Sequence, residues 1–150
     1  MKAVVQRVAH ASVKVDDAVV GEIQRGYLVL LGVAEGDGPD DVSWMARKLA
    51  RLRLFPDSEG RMNLDLAAID GAVLLVSQFT LLGDCRKGNR PSFVAAAAPE
   101  TARTLYEQVA KTLSSEHGVP VETGQFQASM AVELLNDGPV TVLIDSSDQS

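Results

Sequence analysis

Apolar and polar residues alternate along Ala3-Val4-Val5-Gln6-Arg7-Val8 and again along Ala11-Ser12-Val13-Lys14-Val15-Asp16, the two-residue period of strands with one buried face. Asp16-Asp17 supplies a turn, Val19 to Ile23 reads as a third strand, and after Gly26 the run Tyr27 to Val33 is apolar enough for a strand buried on both faces. The period then changes. Asp37-Gly38-Pro39 starts a helix, with proline where its missing N–H costs nothing and Asp40 and Asp41 at the positive end of the dipole. Val42, Met45, Ala46, Leu49 and Leu52 recur at helical spacing, leaving Arg47, Lys48 and Arg51 outside.

Phe55 to Gly60 is a loop by its turn residues, and Gly71 opens the central strand, Ala72 to Leu81. Five apolar residues there give way to the polar Ser77, Gln78 and Thr80, which either finish the strand or floor a pocket held by rigid backbone. Gly83 to Phe93 has no period and carries Arg86, Lys87 and Arg90; it reads as a charged loop. Pro99 begins a second helix whose apolar face is Ala102, Leu105, Tyr106, Val109 and Leu113, ending near Gly118. Val119 to Phe126, Met130 to Leu135 and Val140 to Ile144 read as three further strands, with Asn136-Asp137-Gly138 as a turn between the last two. The expected fold is α/β of the α+β type, a mainly antiparallel sheet packed with two main helices. One domain spans 1–145, and the tail 146–150 should be disordered.

Composition narrows the class. With 150 residues and 46% hydrophobic content the chain suits one core, and no apolar run approaches membrane-spanning length. The lone Cys85 cannot form an internal disulfide, so a reducing, cytoplasmic location follows. A net charge of −6 opposes a grip on a long phosphate backbone, yet half of the basic residues fall in two clusters, Arg47 to Arg53 and Arg86 to Arg90. Any RNA contact should be local; a solvated helix face and a solvated loop are the plain alternatives.

Side-chain acid/base chemistry is poorly provided for. Only His10 and His117 could act as near-neutral bases, at an early strand end and a helix C-terminus, which disfavours a Ser-His-Asp triad. No His/Cys spacing suits a metal, no glycine pattern suits a phosphate loop or dinucleotide, and neither metal nor cofactor is implied. Asn136-Asp137-Gly138-Pro139-Val140-Thr141 stands out because proline before a strand is tolerated only at its first position or at an edge. Gly138, without a Cβ, lets that peptide approach a ligand or another backbone; a plain turn is the alternative.

Ser77-Gln78-Phe79-Thr80-Leu81 and Asn136-Asp137-Gly138-Pro139-Val140-Thr141 closely resemble the two signature motifs of D-aminoacyl-tRNA deacylases. Val4 to Val8, Gly32-Val33, Phe55-Pro56-Asp57, Met62-Asn63, Gly88 to Phe93, Ala98-Pro99 and Leu105-Tyr106 also look like that family, in order and over nearly the whole chain. Phe79 separates the chain from a related deacylase group with alanine at the matching place. Cys85, where threonine or a similar residue is expected, and Gln127, where glycine is more usual, depart from the pattern.

The resemblance implies a homodimeric proofreading enzyme that hydrolyses the ester between a D-amino acid, or glycine, and the 3′-terminal adenosine of tRNA. L-aminoacyl-tRNA would be rejected by a cis Gly138-Pro139 peptide inserted into the partner subunit's pocket and oriented by Arg7. Ser77, Gln78 and Thr80 would serve the reacting carbonyl, with the RNA's own 2′-hydroxyl assisting. Phe79, Val140, Thr141 and Met130 would bind substrate with Gly138, Pro139 and Arg7. Arg86, Lys87 and Arg90 are candidates for the acceptor end. Two rivals remain, an esterase with Thr80 as nucleophile and a non-catalytic RNA- or nucleotide-binding dimer.

Overall fold

The computed structural model describes residues 1–149; Ser150, the last residue of the expected tail, lies outside the described residues. In chain order the elements are β1 (Lys2–Val15), β2 (Ala18–Ile23), β3 (Gly26–Gly32), α1 (Pro39–Arg51), β4 (Phe55–Pro56) and β5 (Met62–Leu64). They continue with β6 (Ala72–Ser77), α2 (Pro99–His117), β7 (Val121–Thr123) and β8 (Ala131–Asp145).

Where two opening strands were expected, β1 runs unbroken for 14 residues, since neither glycine nor proline separates Val8 from Ala11. Along one side it pairs antiparallel with β8 from Lys2 to Lys14; along the other it pairs with β3 over its first half and β2 over its second. The sheet continues from β3 to β6 and β7, both in parallel register. It is therefore mixed, with antiparallel pairing prevailing around β1.

Both strands predicted to be buried on two faces are so. Tyr27, Val29 and Leu31 of β3 and Val73 and Leu75 of β6 point into the cluster under the helices, while Leu28, Leu74 and Val76 point into a second cluster with Val8, Val13 and Ile23. The sheet curls to cover that second face, bringing β2 against β7 so closely that a Cβ at Gly21 would strike the Thr123 carbonyl. Helix α1 buries Val42, Met45 and Leu49 on the first cluster, and Asp41 accepts the Gly38 N–H at 2.9 Å to close its first turn. Helix α2 adds Leu105, Tyr106, Val109 and Leu113. The Tyr106 hydroxyl donates to the Leu75 carbonyl at 2.6 Å, anchoring the helix to the central strand.

Three expectations need correction. First, strand β6 stops at Ser77, and Phe79–Leu82 forms a 3-10 turn, because the Leu81 and Gly83 N–H groups turn back to the Gln78 and Thr80 carbonyls. Second, Asn136-Asp137-Gly138 is no hairpin turn. Both halves of the expected strand pair with the same β1, Asn136 opposite Val8 and Thr141 opposite Gln6, so the residues between them bulge out of one continuous strand. Third, the tail is ordered over Ser146–Asp148. Ser146 is buried, its N–H donating to the Met1 carbonyl at 2.8 Å and its hydroxyl to Asp41 at 2.6 Å, while the Met1 ammonium donates to that hydroxyl at 3.0 Å.

Candidate active site

An open cleft of about 730 Å³ lies at the C-terminal end of β6. The Gln78 N–H still pairs with the Leu31 carbonyl at 2.8 Å, so Ser77 and Gln78 enter the cleft from backbone fixed by the sheet. Phe79, 57% exposed, stands at the mouth and meets Phe93 edge to face, with ring centroids 5.2 Å apart. Phe126 forms another wall, backed by Tyr106 at 5.9 Å and by the Arg103 guanidinium 5.0 Å from its ring centre. Gln127 and Met130 complete that side, and Ala96 to Pro99 the base.

Among the described residues no ionisable side chain lines this cleft. Neither histidine contributes to it, and burial pushes the phenols of Tyr27 and Tyr106 well above their usual range, which removes them as near-neutral acids or bases. Thr80 lies in the 3-10 turn outside the lining, its hydroxyl accepting a hydrogen bond from the Gln78 amide. Among the described residues no base is hydrogen-bonded to it that could activate it as a nucleophile. Among the described residues no group of three or more His, Cys, Asp or Glu stands together to hold a metal.

The second motif forms a separate structure. The Gly138-Pro139 peptide is cis, and Gly138 has φ +145, a conformation that favours glycine. Both residues are exposed at the tip of the bulge in β8. Two side chains clamp its base. Arg7 donates through Nε to the Asp137 carbonyl at 2.8 Å and through a terminal nitrogen to the Leu54 carbonyl at 2.7 Å. Asn136 accepts the Val140 N–H at 3.0 Å and donates to Gln6 and to the Thr141 hydroxyl, each at 3.2 Å. The motifs assign no role to the side chains of Gln6 and Asn136; the signal that could have found them is the register break opposite Arg7, which pattern alone does not reveal.

The expected site is thus divided. Ser77, Gln78, Phe79 and Met130 line the cleft, whereas Arg7, Gly138, Pro139, Val140 and Thr141 belong to the bulge and contribute nothing to the lining within one chain. In the charged loop, Asp84 and Ser92 form a two-way backbone bridge, and Arg86 folds back on Asp84 through bonds of 2.9 and 2.7 Å. The Arg86 guanidinium holds the Asp84 carboxyl below its usual range. Lys87 and Arg90 make no ion pair among the described residues.

The family model described as D-Tyr-tRNA(Tyr) deacylase matches residues 4–145. The D-aminoacyl-tRNA deacylase of Anaeromyxobacter dehalogenans is 62% identical over 146 residues, covering 97% of both chains. That of Chloroherpeton thalassium is 55% identical, covering 97% of this chain and 96% of its own. A solved structure of a c-Myc DNA unwinding element binding protein superposes with a TM-score of 0.91 at 38% identity, covering 97% of this chain and 98% of its own. Another, of a probable eukaryotic D-amino acid tRNA deacylase, shares the fold at a TM-score of 0.79 and 18% identity, over 95% of this chain and 97% of its own. With two signature segments, a full-length family match and relatives above half identity, the chain belongs to the D-aminoacyl-tRNA deacylase family, hydrolases of the ester bond of aminoacyl-tRNA.

Proposed function

We propose that this protein removes D-amino acids and glycine from tRNA as a homodimer, each subunit's Gly138-Pro139 bulge closing the partner's cleft. The observation that carries this is the division of the site: an uncharged cleft whose lining lacks the bulge, and a clamped bulge whose exposed tip lines no part of its own cleft. Strand β8, which supplies the bulge, has one unpaired edge and exposes Leu135 by 52% and Leu143 by 75%, apolar surface suited to a second copy.

The chemistry follows from what the cleft lacks. Water adds to the ester carbonyl, the tetrahedral centre collapses, and the bond to the ribose oxygen breaks, releasing the amino acid and the RNA hydroxyl. With no base lining the cleft, the neighbouring 2′-hydroxyl of the substrate assists, and the protein supplies position. Ser77 and Gln78 orient the carbonyl from the end of β6, and Thr80 holds the Gln78 amide. Phe79 and Phe93 make the apolar wall for the terminal adenosine, and Met130 borders it. Val140 and Thr141 are fixed by Asn136 and carry the bulge. Lys87 and Arg90 reach acceptor-end phosphates, while Arg86, tied to Asp84, acts within the loop.

Chirality is selected by exclusion. The carbonyls of Gly138 and Pro139 occupy the space an L side chain needs, and burying their lone pairs unpaired costs about 1–3 kcal/mol each. Glycine has no side chain to exclude. We assign the protein to the cytoplasm, the compartment of its substrate; no helix among the described residues is long and apolar enough to cross a membrane.

One assay tests the proposal: hydrolysis of D-, L- and glycyl-tRNA beside a D-aminoacyl-tRNA ending in 2′-deoxyadenosine. Cleavage of the D and glycyl esters only, abolished by the deoxy end, is expected. Rapid L-ester cleavage refutes the selection mechanism, and cleavage of the deoxy substrate that is lost in Thr80→Ala favours the nucleophile reading. The 38%-identical neighbour, a DNA unwinding element binding protein, favours a second reading, a nucleic-acid-binding dimer, which predicts binding without turnover.

A further inference from the structure

We infer that the basic outer face of α1 and the segment after it is a second docking surface for the same RNA, reached across the dimer. An RNA whose end lies in one subunit's cleft would meet Arg47, Lys48, Arg51 and Arg53 of the other. This rests on the cross-subunit site proposed above. While α1 buries Val42, Met45 and Leu49, all four cations are exposed, and none makes an ion pair among the described residues. Lys48 and Arg51 suit the negative end of the helix, but that does not account for Arg47, just before the last turn, or for Arg53 beyond it.

Location supplies the second observation. The Arg7 guanidinium that holds the Asp137 carbonyl also holds the carbonyl of Leu54, the residue after Arg53. The basic segment is therefore one side chain away from the selective bulge, and a bulge that enters the partner's cleft carries these cations with it. Of the carboxylates nearby, Asp40 lies at the opposite end of α1 and makes no ion pair with these cations among the described residues, and Asp57 and Asp65 face backbone donors instead. Asp57 accepts the N–H groups of Glu59 and Arg61 at 2.9 and 3.0 Å, and Asp65 accepts that of Ala68 at 3.0 Å. In a chain of net charge −6, four unneutralised cations beside the site fit one ligand chemistry, the phosphates of a helical RNA stem.

The test is an Arg51→Gln/Arg53→Gln double variant, assayed on D-aminoacyl-tRNA across a salt series and on a D-aminoacyl ester of the terminal nucleotides alone. The tRNA KM should rise about tenfold at low salt, and the salt slope of log KM should flatten by about two. The short ester, which has no stem to meet the arginines, should be cleaved as before. Unchanged KM and slope overturn the inference, as they would if a protein or a membrane were the occupant. In mixed dimers, one subunit carries the double substitution with an open cleft, and its partner keeps native α1 with the cleft plugged by Ala97→Trp. Native KM is expected; a raised KM overturns the cross-subunit assignment. Failure of the unsubstituted protein on both substrates strikes instead at the proposed function and takes this inference with it.

Discussion

Arg7 and Asp137 meet through the guanidinium Nε and a main-chain carbonyl at 2.8 Å, with the Asp137 carboxylate a further 3.8 Å contact to the same nitrogen. Because the other arm of the fork holds Leu54, the side chain braces the bulge against the segment after α1. Lysine has the charge but not the two-directional fork. Losing one such charge-assisted bond costs about 1.5–3 kcal/mol, so Arg7→Lys should lower kcat/KM on D-aminoacyl-tRNA by about 10- to 100-fold. Steady-state kinetics beside a melting curve check it: an unchanged kcat/KM would remove Arg7 from the positioning role.

Asn136 clamps the other side of the bulge with three hydrogen bonds. Asn136→Ala should reduce kcat/KM about tenfold, consistent with the roughly 0.5–1.5 kcal/mol net value of each bond. Asn136→Asp keeps an acceptor for the Val140 N–H but turns an acceptor toward the Gln6 side-chain oxygen in place of the donor. It should therefore recover only part of the loss. Equal activity of both variants and the parent would show that the bulge holds its shape without this side chain.

What the sequence made legible follows the range of the interactions. Periodicity located β3, β6 and both main helices because each depends on a repeating local pattern, and Gly118 ends α2 in the left-handed conformation its position suggests. Continuity of β1 and β8 was not legible, since it depends on pairing between residues more than a hundred positions apart. For the same reason an Asn-Asp-Gly turn signal misled: β1 holds both flanks of the bulge in line, overriding a local preference for reversal. The resemblance named Ser77, Gln78, Phe79 and Met130 and set Gly138-Pro139 apart from them, but Phe93 and Phe126 of the cleft wall were not legible, because only the folding of distant loops brings them to the end of β6. Ser146 read as tail because only its contacts with Met1 and Asp41, each more than a hundred positions away in the chain, give it a place.

Gln127 adopts φ +64 at the edge of the cleft, in the left-handed region that L side chains enter at a cost of about 1–2 kcal/mol. Glycine removes that cost but loses more entropy on folding, by about 0.5–1 kcal/mol. The net expectation for Gln127→Gly is a gain of about 0.5–1 kcal/mol, with the cleft wall intact. Equilibrium unfolding in denaturant should show a raised midpoint at constant slope. A lowered midpoint would mean that the Gln127 side chain contributes contacts that outweigh its backbone conformation.

Acid should loosen the junction of the two termini through Asp41. Burial pushes this carboxyl up, but the hydrogen bonds from Ser146 and from the Gly38 N–H, with the N-terminal ammonium nearby, outweigh that and hold it below its usual range. A carboxyl whose pKa is lower in the folded than in the unfolded chain stabilises the fold above the unfolded value, near pH 4, and loses that contribution as pH falls through the folded one. Asp145 is held low as well: burial raises it, but the Ser147 N–H and hydroxyl and the N-terminal charge more than compensate, so its contribution is likewise lost as acid protonates it. Asp41→Asn should cost about 1–2 kcal/mol at pH 7 by weakening the first turn of α1 and the bond to Ser146, and should flatten the decline of stability below pH 4. Denaturation midpoints measured from pH 7 down to pH 3 for both proteins decide it. Parallel curves would show that other carboxylates control the acid limb and that the Asp41 bonds to Ser146 and Gly38 add little to the fold.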